Sequence, residues 1–158
     1  VYPIPELPQF EQKWCQFVNT GPFDLKSDAS RQLDNFTDFG HFPWVHPVLL
    51  GEPDRPEVPA CKVATKGAIL HYNIIRPEST NSEEFPIFGN EEKTSPSRQS
   101  NYALHLPYTI SLKIGWGGKK GMVYLFVSQP ISANKCRGYC VIGRNYDLDT
   151  PDKTYQDF

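Results

Sequence analysis

From Tyr102 to Trp116 every even-numbered position is apolar: Tyr102, Leu104, Leu106, Tyr108, Ile110, Leu112, Ile114 and Trp116. The odd positions carry Ala103, His105, Pro107, Thr109, Ser111, Lys113 and Gly115. Side chains alternate between the faces of a strand, so this period of two predicts one long strand with a single buried face, bent at Pro107. Its outward Ser111 and Lys113 should face solvent. GGKKG (Gly117–Gly121) predicts a turn, Met122 to Val127 is apolar on both faces, and Lys135 to Tyr146, with Cys136, Tyr139, Val141 and Ile142, reads as a further strand. Upstream, Cys61–Thr65 and Ala68–Ile75 flank Lys66-Gly67 as a hairpin. Between the two sheet regions Asn81–Ser100 is polar and charged, with Phe85, Ile87 and Phe88 its apolar island. A loop this long in a compact domain is usually functional or disordered, here a lid over a pocket or a mobile insertion.

A second segment breaks with that alternation. Asp34 to His46, DNFTDFGHFPWVH, gathers two histidines, two acids and an asparagine in thirteen residues. Ser27, Asp28 and Ser30 are N-cap candidates for a helix carrying it. On a helix Asp38 and His41 share a face, with Asn35 one step back on the same row. His46 would lie about 140° beyond His41 on a continuous helix, a poor spacing for two ligands of one metal. Pro43 lacks an N–H, crowds the carbonyl of Phe39 and disfavours helical dihedrals at Phe42, so a break there lets His46 swing back toward His41. Gly40 loosens the helix beside the first histidine. Leu33, Phe36, Phe39, Phe42, Trp44 and Val45 bury the segment, and a buried histidine or aspartate needs a partner to offset its desolvation. The cluster is therefore a hydrogen-bonded network or a metal site. Two neutral imidazoles and one carboxylate, with open coordination positions, form the set that holds non-haem iron(II) for oxygen activation.

At 158 residues, 39% hydrophobic and 13% aromatic, the chain suits one globular domain. Its net charge of −2 gives no general attraction to nucleic acid or anionic membranes. No apolar run is long enough to span a bilayer, and no signal peptide opens the chain. Cys136 and Cys140, if on one strand, lie about 13 Å apart, too far for a bridge. Four unpaired thiols point to a reducing compartment and hence a cytoplasmic location. VYPIPELPQF, with three prolines in its first eight residues, reads as a linker. Glu11–Val18 is expected to form a short turn of helix and Pro22–Asp28 a short strand. The proline-rich run Pro47–Pro59 reads as an irregular loop, and Thr150 and Pro151 as the start of a helix. Helices on one face of an antiparallel sheet give an α+β fold.

NFTDFGHFPWVH, followed by PVLLGEPDRPEVP, resembles the N-F-x-D-x-x-H-x-P-x-x-H segment in the catalytic domain of Rieske non-haem iron ring-hydroxylating oxygenases, especially the vanillate O-demethylase type. The resemblance covers most of the chain. It implies a helix-grip fold related to START-type domains, with residues 1–158 a catalytic domain lacking its N-terminal Rieske domain and the end of its C-terminal helix. It implies that His41 and His46 bind mononuclear Fe(II), that Asp38 bridges to the Rieske centre of a neighbouring subunit, and that Asn35 stands near the iron. The family's third ligand is an aspartate on the C-terminal helix, so Asp157 or an aspartate beyond Phe158 would supply it. Cys15, Cys61, Cys136 and Cys140 are followed by no histidine at C-x-H or C-x-x-H spacing, so a 2Fe-2S Rieske cluster is expected only in the missing domain.

The resemblance further implies an aromatic or apolar small-molecule substrate, O2 as co-substrate, hydroxylation or O-demethylation as the reaction, a ferredoxin or reductase as electron donor, and a homotrimer. An isolated piece would bind iron yet lack the electron supply for turnover. A helix-grip domain that binds a small molecule or lipid without redox chemistry is the competing reading, its histidines then buried hydrogen-bonding groups. A zinc hydrolase is weaker, because no H-E-x-x-H arrangement is present. His71 and His105 sit in strand contexts and take no metal role.

Overall fold

The computed structural model describes residues 5–7, 13, 15–47, 50–77, 97–115 and 120–156. Most of the first ten residues, read as a linker, most of the Asn81–Ser100 loop, Trp116, most of the GGKKG turn and Asp157 lie outside these residues. In chain order the elements are β1 (Gln16–Asn19), β2 (Phe23–Leu25), α1 (Ala29–Thr37), α2 (Phe42–Val45), β3 (Ala64–Lys66), β4 (Ile69–Pro77), β5 (Ser97–His105), β6 (Thr109–Gly115), β7 (Gly121–Ser132), β8 (Lys135–Arg144) and α3 (Asp152–Gln156).

Among the described residues eight strands form one sheet in the order β1-β8-β7-β6-β5-β4-β3, with β2 also paired to β8. Every pairing of these strands is antiparallel. The expected hairpin around Lys66-Gly67 is present, and Gly67 takes the left-handed φ of 59° that its turn requires. Helices on an antiparallel sheet make this an α+β fold of the helix-grip kind. No helix among the described residues is long and apolar enough to cross a membrane.

Two corrections concern the strands. The long strand Tyr102–Trp116 is a hairpin: β5 ends at His105, the chain turns through Leu106–Tyr108, and β6 returns. Tyr102 pairs with Leu112 and Leu104 with Ile110, even position against even, so the alternation passes through the turn without changing phase. Pro107, which cannot donate to a ladder, sits in the turn rather than at a bend. Of the helical turn expected over Glu11–Val18, residues Gln16–Val18 belong instead to β1, because β8 supplies hydrogen-bonding partners from Val141 to Arg144, while Glu11, Gln12 and Trp14 lie outside the described residues. Tertiary pairing there overrides a weak local preference.

The inner face carries the core. Leu33 of α1 packs with Phe39, Ile74, Tyr102, Ile110 and Phe126, and a second cluster joins Val18, Ile114, Met122, Ile142, Tyr146 and Tyr155 of α3. Phe36 of α1 packs against Phe126 with tilted rings 4.5 Å apart, which fixes the helix across the middle of the sheet. Residues of β7 are buried on both faces, since Val123 and Leu125 are buried as well as Met122 and Phe126. Ile110 is 1% exposed, whereas Leu112 is only partly buried and lines a cavity. Ser111, expected in solvent, is half-buried and shares a 3.1 Å hydrogen bond with His105 Nε2.

Replacing Ile110 with alanine should cost roughly 2–5 kcal/mol in a denaturant melt, while Lys113→Ala, at an exposed position, should cost under about 0.5 kcal/mol. Equal losses would contradict the assignment of faces.

Candidate functional site

The site begins at the cap of α1. The Asp28 side chain accepts from Arg31 N–H at 2.8 Å, so of the cap candidates Asp28 performs the role. From there the helix carries Asn35 and Phe36 to the wall of a cavity of about 340 Å³. α1 ends at Asp38, whose extended backbone (φ −86°, ψ 104°) closes it with an N–H donated to Asp34 O at 2.8 Å.

The break therefore falls at Asp38 rather than at Pro43. Pro43 lies in the first turn of α2, where its missing N–H has no intrahelical partner to lose, and Phe42 is helical. α2 is a single turn with His41 at its N-cap and His46 at its C-cap. His46 N–H donates to Phe42 O at 3.0 Å and Leu50 N–H to His46 O at 3.0 Å, which ties the following loop to the turn. Gly51 packs so closely that a Cβ there would stand 3.0 Å from Pro43 N.

One turn brings the two rings together. The imidazole centroids of His41 and His46 are 5.3 Å apart with planes at 66°, and both line the cavity. Asp38 Oδ1 accepts from Gly40 N–H at 2.9 Å, while its Oδ2 stands 3.4 Å from His41 Nδ1. Asp38 thus addresses the outward nitrogen of His41 across the break, although the two do not share one helix face. The inward nitrogen, His41 Nε2, is buried with no hydrogen-bond partner. Burial, with His41 close by, holds the His46 imidazole below its ordinary pKa, so the neutral ring that a metal requires is favoured.

These observations fit the donor set of a mononuclear metal site. A buried orphan nitrogen costs free energy unless something occupies its lone pair, and a neighbouring neutral imidazole supplies a second donor. Among the described residues no group of three His, Cys, Asp or Glu side chains could hold a metal, and the third-donor candidate Asp157 lies outside them. His71 is exposed and His105 bonds Ser111, both away from this cavity.

Much of the cavity comes from residues that the motif does not contain. Ile74 and Arg76 of β4, Arg98, Ser100 and Tyr102 of β5, Leu112 and Ile114 of β6 and Tyr124 of β7 form its floor. Ser97–Ser100, read as the end of a polar loop, is the start of β5, and β4 continues past Ile75 to Pro77. The same even parity, extended beyond Tyr102 toward the N-terminus, finds Ser100 and Arg98. Burial pushes the Tyr102 phenol up to about 12, against the pull of Arg98 and Arg76, and burial likewise raises Tyr124, so both stay protonated at neutral pH.

Residues 25–156 match the family model for the vanillate O-demethylase oxygenase C-terminal domain. Methylxanthine N3-demethylase NdmB of Pseudomonas putida is 26% identical over 98% of this chain, and methylxanthine N1-demethylase NdmA of the same organism is 24% identical over 92%. The chain spans 41% and 40% of those proteins, respectively. Among solved structures, Pseudomonas putida CBB5 NdmA with caffeine superposes with a TM-score of 0.79 at 20% identity, covering 97% of this chain and 42% of that one. Dicamba monooxygenase bound to dicamba gives 0.73 at 15%, covering 98% and 46%, so both share the fold. With a match over most of its length, the chain belongs to the vanillate O-demethylase oxygenase C-terminal domain family, the catalytic-domain family of Rieske oxygenases.

Proposed function

We propose that this chain is the iron-holding, substrate-binding domain of an oxygenase component that oxidises a methyl group on an aromatic or other apolar small molecule. The observation that carries the reading is the pair His41 and His46 at either end of one helical turn, with the buried Nε2 of His41 unpartnered beside the cavity. Iron(II) held by these two nitrogens and a carboxylate, from Asp157 or an aspartate beyond Phe158, would supply open positions for O2 activation. The demethylase names of the relatives support methyl oxidation. In that reaction O2, two electrons and two protons put one oxygen atom into a C–H bond and release the other as water, and the hydroxymethyl group leaves as formaldehyde.

The chain's own residues order the site. Phe36, Phe39, Phe42, Leu50 and Ile74 present apolar surface to an apolar ring and exclude water, while Asn35 stands at the wall near the histidines. Asp38 orients His41 through Nδ1, which fixes the tautomer that leaves Nε2 free to coordinate. The carboxylate of Asp38 is 61% exposed, and Trp44 and Val45, expected from the sequence to be buried, are each 63% exposed instead. We assign this surface to contact with the Rieske domain of a neighbouring subunit in a homotrimer, with a ferredoxin or reductase supplying the cluster. Electrons would then enter through Asp38.

His41→Ala and His46→Ala should each abolish iron(II) retention after a chelator challenge while leaving the thermal melt intact. Either variant holding stoichiometric iron would refute the ligand assignment.

Asp38→Asn in the full-length oxygenase should keep much of its iron and reduce its Rieske cluster normally, yet slow single-turnover oxidation of that cluster about tenfold or more. Near-normal oxidation would leave Asp38 only its local role of accepting from Gly40.

A further inference from the structure

Arg144, the last residue of β8, is a cation with 0% of its surface exposed, and the iron reading makes no use of it. Its Nε and Nη1 are buried with no hydrogen-bond partner among the described residues. Its carboxylate neighbour there, Asp152, stands 3.9 Å away, has a half-exposed side chain and already accepts from Gln16 Nε2 at 2.8 Å through the same oxygen. A buried charge so loosely compensated is a poor device for stability, because the desolvation penalty exceeds what such a pair returns.

What the guanidinium does hold is the start of α3. Nη2 donates to Thr150 O at 3.0 Å and to Asp147 O at 3.4 Å. Asp147 takes a left-handed φ of 47°, and its carbonyl also accepts from Thr150 N–H at 3.0 Å, so the loop after β8 closes around Arg144. α3 begins two residues after Thr150, and the guanidinium carbon lies 3.8 Å from the ring centre of Tyr155, itself 1% exposed. The helix is thus gripped just before its first turn and again within it. Arginine suits this double hold, since the edge of its planar fork reaches carbonyls while its face lies on an aromatic ring. Tyr155 shares a core cluster with Ile114, against which Leu112 and Tyr124 pack, and those three residues line the cavity beside His41 and His46. Arg144 does not line that cavity, so any effect it has on the site passes through the helix.

We propose that Arg144 is a positioning residue that sets the direction in which α3 leaves the sheet, so that the carboxylate carried onward by the C-terminal helix meets the two histidines. This deepens the function proposed above and rests on it for the iron site. A helix advances about 1.5 Å per residue, so a tilt of about 10° at its start moves a group about 7 Å along it by about 1 Å. A metal bond tolerates about 0.2 Å. A charge that adds little to stability is retained, on this account, for the aim it gives the helix.

The test is Co(II) binding by the full-length oxygenase stripped of its mononuclear iron, measured by equilibrium dialysis and elemental analysis so that cobalt is counted apart from cluster iron. Arg144→Met should melt near the wild-type temperature yet bind Co(II) about tenfold or more weakly. Added formate, a free carboxylate, should narrow that gap to about threefold by taking the coordination position left open. Arg144→Lys, which keeps the charge but not the fork, should fall between the two proteins. Co(II) affinity in Arg144→Met within about threefold of wild type without formate would overturn the proposal. So would a loss that formate leaves unchanged, because a misplaced carboxylate predicts rescue and a loosened fold does not. Should Arg144→Met fail to fold, Arg144→Lys is judged by the same two readouts. Cobalt retained by His41→Ala would sink the iron reading itself, whereas cobalt lost there and kept by Arg144→Met would sink this proposal alone.

Discussion

Five residues of continuous helix would turn His46 away from His41, so the site depends on where the helix stops. Ending α1 at Asp38 and restarting the chain as a single turn puts one histidine at each end of α2 and their rings 5.3 Å apart. The backbone hydrogen bonds that close this turn, together with the loop held by Leu50 N–H, make the approach rigid. A rigid approach matters because two imidazoles that must converge on one ion would otherwise lose affinity to conformational entropy.

The cavity beside the histidines is bounded by the sheet, and that dictates its chemistry. Residues pointing inward from β4, β5 and β6 are set by pairing, so Tyr72 faces Tyr102, Ile74 faces Ser100 and Arg76 faces Arg98 in successive rows. The stacked pair of tyrosine rings, 5.0 Å apart, and the Phe39 ring against Tyr102 close the apolar side. The guanidinium row closes the polar side.

Much of this was legible in the sequence, for physical reasons that also explain what was not. Parity placed Ile110 and Ile114 inside, but could not reveal the turn at Leu106–Tyr108, because an even residue pairs with an even one across it. The spacing of His41 and His46 required a break, and the sequence offered Pro43 as its visible cause. The structure uses the extended backbone of Asp38 instead and accommodates Pro43 in a first turn, where proline costs little. Arg76 and Arg98 escaped notice because each continues the inward parity at a strand end, where a charged side chain normally marks the strand as finished. β1 was hidden because its reason for being a strand lies in β8, more than a hundred residues away.

The central claim is that both histidines bind one iron. X-ray absorption of the iron(II)-loaded protein reads it directly, since imidazole rings give a distinctive outer-shell scattering pattern. Two imidazoles per iron, falling to one in His46→Ala where any metal remains, is the expected result. Iron bound with no imidazole scattering, or with a count unchanged in that variant, would contradict it.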